Sequence, residues 1–188
     1  MKGSSLISRI ERLCNIVELS GVIAMLFMAF AFQILFKELP CPLCLLQRLG
    51  FFSIALGFLL NLRCGLRPSH YSIIILSALF TSFVALRQIA LHIVPGTGTY
   101  GDAFLGLHLY TWSFIISMVI IIVTSFMLGM DRQYGTVRLP IKRFRVLTSL
   151  LFVVLLVLVG MNIVTVLLQC GVSLCPDNPT QYFFPFKF

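Results

Sequence analysis

Two closely spaced pairs of cysteines are the residues of this chain best suited to redox chemistry. Cys41 and Cys44 are separated by two residues, and Cys170 and Cys175 are separated by four. A Cys-x-x-Cys element can be structural, metal-binding or redox-active. Zinc usually requires four ligands, and neither a second Cys-x-x-Cys nor a histidine pair accompanies the first pair. Because a structural disulfide across so short a loop constrains the unfolded chain little, we interpret Cys41 and Cys44 as a redox-active pair.

The first pair is predicted to lie where a helix begins. Pro42 suits the first turn of a helix, because its fixed φ and its missing N–H are tolerated there. The N–H groups and the positive dipole end of such a turn favour a thiolate. A thiolate is both the attacking and the leaving form in thiol–disulfide exchange. This position therefore suits a pair that exchanges electrons.

Polar side chains follow the first pair at helical spacing. Arg48 comes four residues after Cys44, which places both on one helix face. A charge inside a membrane is unfavourable by roughly 2.5–3.5 kcal/mol, so Arg48 either extends to the outer headgroups or stabilises an anion on Cys44 or the oxygen of an electron acceptor. Arg87, Gln88 and His92 form a second cluster, in which His92 can equally be a hydrogen-bonded interfacial histidine. We expect these groups to meet between two spans and to fit a hydrophobic ligand with a polar head.

The composition requires a membrane around these residues. Of the 188 residues, 59% are hydrophobic and 11% are charged, whereas soluble domains carry about 25% charged residues. A soluble enzyme, a nucleic-acid binder and a disordered protein are therefore excluded. Five apolar runs are each near or above the ~20 residues that cross a bilayer. They predict an all-α membrane protein, a single domain of four bundled helices plus a fifth, with spans at about 17–36, 43–62, 71–94, 107–130 and 146–168.

The distribution of Lys and Arg predicts the orientation of these spans. Ten of the 14 lie at one set of span ends and only Lys37 and Lys187 lie at the other, which indicates a cytoplasmic N-terminus and an outer tail, residues 169–188. No small-residue cleavage pattern follows the first span, so we expect it to be retained as an anchor. Both cysteine pairs then lie on the oxidising side, where disulfides persist. Cys14 and Cys64 lie on the cytoplasmic side and are interpreted as packing residues.

The sequence resembles a known family at these motifs. The segment Pro40–Arg48 (PCPLCLLQR) and the later Arg87-Gln88, Leu91-His92 and Pro95 are similar to the DsbB family of bacterial inner-membrane disulfide-generating proteins, including DsbI-like relatives, over about residues 15–130. The resemblance implies a helical bundle around a quinone, ubiquinone or menaquinone, and a periplasmic DsbA-like thiol oxidase as partner. It also implies that Cys41 exchanges with a second disulfide and that Cys44 contacts the quinone. The quinone-binding candidates are Gln47, Arg48, Arg87, Gln88 and His92.

The second cysteine pair departs from the family pattern. Family members carry that pair in the outer loop between the third and fourth spans, but the loop here, residues 95–106, contains no cysteine. The fifth span instead brings Cys170 and Cys175 to the same side. We therefore expect four catalytic cysteines, with the tail pair either relaying electrons or serving as a structural clip. A non-catalytic membrane subunit with structural disulfides is the alternative function, and a transporter is disfavoured because no inverted repeat is visible.

Overall fold

The computed structural model contains five long helices in the part of the chain that it describes. That part comprises residues 2–36, 39–94, 103–130, 134, 142–171 and 175. The side chains of residues 2–9 and 142–144 are not described. Each helix is long and apolar enough to cross a membrane, so the all-α membrane class and the five spans are confirmed. The helices are α1 (Lys2–Leu35), α2 (Pro42–Cys64), α3 (Pro68–His92), α4 (Leu109–Leu128) and α5 (Lys142–Cys170). The predicted outer tail after residue 175 and the loop at residues 95–102 lie outside the described residues.

Helix α2 is the central element of the bundle. It packs against α1 on one side and α3 on the other, α3 packs against α4, and α4 also touches α1. Helix α5 lies outside these four and contacts α2 and α1. Within the spans, 61% of α2 is buried but only 11% of α5. The structure is therefore a four-helix bundle with a peripheral fifth helix.

Two glycines bring α2 and α3 into close contact. Gly50 and Gly57 are two turns apart on one face of α2, and a Cβ at Gly50 would overlap the side chain of Thr81 on α3. A Cβ at Gly57 would overlap Ile74 and lie 3.2 Å from the backbone oxygen of His70. Small residues permit this approach in membranes, where packing and hydrogen bonds drive helix association. The glycines thus set the spacing between the helix that begins at the thiol pair and its neighbour.

A buried polar network joins the first three helices at the end away from Cys41. The amide of Asn15 on α1 donates to the Tyr71 hydroxyl at 3.3 Å, and the amide of Asn61 on α2 donates to Asn15 Oδ1 at 3.0 Å. Asn61 Oδ1 accepts from the Arg67 N–H at 3.3 Å and lies 3.1 Å from His70 Nδ1. These bonds satisfy polar groups that water does not reach and fix the register of α1, α2 and α3.

Adding a methyl group at Gly57 is expected to destabilise the bundle. The new Cβ meets the backbone of α3, which cannot rotate away, and overpacking of this kind destabilises by about 1–3 kcal/mol. Gly57→Ala should therefore lower the midpoint of thermal unfolding in detergent. Gly160→Ala on α5 is the matched control, because no described atom lies within 4 Å of the added Cβ; its midpoint should be unchanged or slightly higher. Equal midpoints for both variants would contradict the close contact.

Candidate redox site

The two thiols of the first pair lie together at the start of α2. Cys41 precedes the helix as its N-cap, with Pro42 in the first turn, and its sulfur accepts the Cys44 N–H at 3.2 Å. The two sulfur atoms, Cys41 Sγ and Cys44 Sγ, are 2.6 Å apart. Cys41 is buried and Cys44 is half-buried. Two sulfurs this close can form or open a disulfide with little movement of the backbone.

The side chain of Gln88 on α3 lies against both sulfurs. Its amide nitrogen is 3.3 Å from Cys41 Sγ and 3.4 Å from Cys44 Sγ. The amide oxygen of Gln88 accepts a hydrogen bond of 2.7 Å from Gln47 Nε2 on α2. Gln88 is fully buried and Gln47 is nearly so. These two predicted quinone contacts therefore bind each other, and Gln88 also contacts the thiols.

Arg48 is buried against α1. Its guanidinium donates to Gln33 Oε1 at 2.7 Å and to the Ala29 carbonyl at 3.0 Å, and it lies 4.6 Å from the centroid of the Phe30 ring. Only 6% of the residue is exposed. The guanidinium thus lies inside the bundle, and α1 supplies the polar partners that an intramembrane cation needs.

An apolar cavity borders the thiol pair. Its internal volume is about 90 Å³, and the space reaches about 710 Å³ only when the open solvent at its mouth is included. Cys41, Cys44 and Arg48 form part of its wall. The other lining residues come from α1, the 39–40 segment, α2 and the start of α4, and they are Met25, Leu26, Ala29, Phe32, Gln33, Leu39, Pro40, Gln47, Phe51, Leu109, Tyr110 and Ser113.

The cavity lies on a different side of α2 from the one that the sequence suggests. We expected the ligand between the second and third spans, but Gln88 occupies that position and the cavity opens between α1, α2 and α4. Arg87 is exposed on α3 and does not line the cavity. His92 is half-buried beside Tyr110, with 5.8 Å between the ring centroids, and His108 stacks on Tyr110 at 5.3 Å. His92 thus contacts Tyr110, which lines the cavity.

The second cysteine pair forms a disulfide next to the first pair. Cys170 and Cys175 are bonded, and Cys170 is 3% exposed. The preceding residue, Gln169, is 2% exposed and donates its amide N–H to the Pro40 carbonyl at 2.7 Å. Cys170 directly follows Gln169, and Cys41 directly follows Pro40. The Gln169–Pro40 hydrogen bond therefore holds the backbones next to the two cysteines together.

Sequence reasoning missed three polar residues around the thiols. Gln33 accepts from Arg48, Tyr110 lines the cavity, and Gln169 connects α5 to the 39–40 segment. Gln33 and Gln169 are isolated amides in apolar runs, a pattern that often marks helix contacts in membranes. That pattern could have identified them as contacts, but not their partners.

The pKa of the Cys41 thiol is raised above its ordinary value. The main cause is its hydrogen bond with Cys44, followed by burial, which disfavours the charged form. A raised pKa means that Cys41 keeps its proton at pH values where an ordinary thiol is partly ionised. In the reduced pair, Cys41 is therefore the proton donor and Cys44 the acceptor of the shared hydrogen bond.

Replacing Cys44 is expected to make Cys41 more reactive. Cys44→Ala removes the largest cause of the raised pKa but leaves the burial, so the pKa of Cys41 should fall partway toward the ordinary thiol value. At a fixed pH between 7 and 9, alkylation of reduced Cys41, measured by mass spectrometry, should then be faster than in the wild-type chain. Slower or equal alkylation in the variant would contradict the assignment of Cys41 as proton donor.

Comparison with known proteins identifies the segment that carries this site. The model of the family described as "Disulfide bond formation protein DsbB" matches residues 11–99, just under half of the chain. The match covers most of α1 and all of α2 and α3, and so includes Cys41, Cys44, Arg48 and Gln88. No curated protein and no solved structure matches the chain. Over these three helices the chain is therefore similar to that family.

Proposed function

We propose that the protein is a quinone-dependent thiol oxidase, which passes electrons from a thiol protein outside the membrane through the tail pair and then Cys41–Cys44 to quinone. One observation carries the proposal: a close thiol pair lies in the wall of an apolar cavity that also contains a buried arginine. A structural clip needs neither an apolar cavity nor a buried cation beside it. Both features are expected where two electrons leave a thiol pair for a hydrophobic acceptor.

The cavity residues suit a quinone head. The side chains of Met25, Leu26 and Phe51 provide apolar walls for the ring. Arg48, oriented by Gln33 and Ala29, would bind a quinone oxygen, since a guanidinium offers five N–H donors. A bound quinone would supply the electron acceptor, taking up two electrons and two protons as the Cys41–Cys44 disulfide forms. Ubiquinone and menaquinone both meet these requirements.

Disulfide exchange between the two pairs balances without another reactant. A thiolate of the reduced tail pair attacks Cys41 Sγ of the Cys41–Cys44 disulfide, and the electron pair of the broken bond passes to Cys44. The second tail thiol then attacks its neighbour in the mixed disulfide, which re-forms Cys170–Cys175 and releases Cys41 as a thiol. The α2 N-terminus and Arg48 favour the negative charge on Cys44. The bond from Gln169 to Pro40 supports the short distance that this exchange needs.

The position of the chain in the cell follows from the same chemistry. The excess of Lys and Arg at one set of span ends supports an N-terminus in the cytoplasm and a tail in the periplasm of a bacterial inner membrane. Thiol proteins to be oxidised are found in that compartment. We infer that the partner is a periplasmic thiol oxidase of the DsbA type, whose reduced dithiol attacks the tail disulfide.

Quinone reduction by a small dithiol tests the proposed function. Wild-type protein should catalyse it, and Arg48→Ala should raise the apparent KM for quinone about tenfold or more, because a hydrogen bond to a charged group contributes roughly 1.5–3 kcal/mol. Arg48→Lys should restore part of the affinity, since an ammonium lacks the planar fork. Arg63→Ala is the control, because Arg63 stacks on an aromatic ring, Phe152, at the far end of α2. No turnover by the wild-type protein would favour the non-catalytic subunit.

The role of the tail pair has a separate test. Changing both Cys170 and Cys175 to Ser should abolish oxidation of a protein thiol donor. A small dithiol that reaches Cys41–Cys44 directly should still reduce quinone at close to the wild-type rate. Both activities are followed by quinone absorbance in the same preparation. If the double variant oxidises the protein donor at the normal rate, the tail disulfide is a structural clip.

A further inference from the structure

We infer that Gln88 is a positioning residue that sets the redox equilibrium of the Cys41–Cys44 pair, and that Gln47 holds its amide in the active orientation. The inference rests on the proposed redox role of the pair. It assigns to Gln88 contact with the sulfurs and to Gln47 contact with Gln88, which is a different role from binding the electron acceptor.

The orientation of the Gln88 amide follows from its neighbour. Gln47 Nε2 donates to Gln88 Oε1 at 2.7 Å, which fixes the oxygen on Gln47 and turns the NH₂ group to the sulfurs. The oxygen lies farther from Cys44 Sγ, at 3.7 Å, than the nitrogen does. That NH₂ group has two N–H donors and two sulfurs within 3.4 Å. With Gln88 fully buried, water does not compete for these contacts. The contact brings a neutral donor from α3 to a pair that begins α2.

The amide acts differently on the two redox states. A thiolate is a stronger hydrogen-bond acceptor than a disulfide sulfur, so an N–H donor stabilises the reduced pair more than the oxidised one. In the exchange with glutathione, the Cys41–Cys44 disulfide and two glutathione thiols give two protein thiols and one glutathione disulfide. Stabilising the protein thiols shifts this equilibrium toward the reduced pair. Gln88 thus makes the pair a stronger oxidant of its thiol donor.

The charged and titratable groups near the pair lie on helices other than α3, which carries Gln88. Arg48 of α2 acts on Cys44 through its charge, and Tyr110 of α4 lies close enough to interact with the same sulfur. Gln33 of α1 and Gln169 of α5 contribute neutral amides that contact Arg48 and Pro40. Removing the Gln88 amide therefore leaves the charges around Cys44 in place, and its effect can be measured separately.

Equilibration with glutathione buffers, without quinone or a protein donor, tests the inference. Gln88→Met keeps the length of the side chain but removes the donors. The equilibrium between disulfide and dithiol should shift about tenfold toward the disulfide, which corresponds to ~30 mV for two electrons, and alkylation of the reduced pair at pH 7 should slow. Gln47→Met leaves Gln88 in place without its anchor and should give a smaller shift in the same direction. Trapped Cys41–Cys44 disulfide is quantified by mass spectrometry.

A control on the same helix separates this role from a general loss of structure. Ser82→Ala removes a buried hydroxyl of α3 whose hydrogen bond, to the Leu79 carbonyl, stays within the helix; its glutathione equilibrium should match the wild type. If the Gln88→Met variant does not fold, the glutathione equilibrium of Gln47→Met decides the inference. Wild-type equilibria in both glutamine variants would overturn the inference. That result would leave the proposed function standing, since quinone reduction by the wild-type protein is measured independently.

Discussion

A thiolate enclosed by apolar helices has no water to solvate it, so neighbouring protein groups must stabilise its charge. Here those groups come from three helices. The first turn of α2 contains Cys44 itself, α3 provides the Gln88 amide at 3.4 Å from Cys44 Sγ, and α1 fixes the orientation of Arg48. The contact with α3 depends in turn on Gly50 and Gly57, which let the two helices approach closely. A packing feature in the middle of the membrane thereby determines the surroundings of sulfurs two to four turns away.

Helix α5 gives the second cysteine pair a fixed location. At its outer end Gln169 donates to the Pro40 carbonyl, and toward its other end the Arg63 side chain reaches Ser149 Oγ at 3.4 Å and stacks on Phe152. Both contacts join α5 to α2 or to the segment just before it. The Cys170–Cys175 disulfide is therefore carried by a helix attached to the same element as Cys41. In the proposed relay, exchange requires movement of the few residues around the disulfide and not of the helix.

The sequence predicts the number and length of the spans but not how each helix is rotated. Apolar side chains face both the lipid and the protein core, so the apolar pattern of a membrane helix does not reveal its buried face. Arg87 and Gln88 illustrate this limit, since they are adjacent in sequence while one is exposed and the other fully buried. Cys41, Cys44 and Arg48 were identifiable because a motif and an intramembrane charge are informative by themselves. Gln33 was not, because only the packing of α1 against α2 makes it the partner of Arg48.

The core between the two polar regions isolates the redox site from one side of the membrane. Below the thiols and above the Asn15–Asn61 network lies a layer of fully buried apolar side chains, including Val22 and Ile54. This layer separates the outer site, in the proposed orientation, from a compartment whose reductants keep thiols reduced. A polar path through it would let those reductants open the Cys41–Cys44 disulfide and return electrons that the quinone is proposed to remove. In the proposed function this apolar layer would therefore matter as much as the thiols, because it leaves exchange at the outer face as the route by which electrons enter.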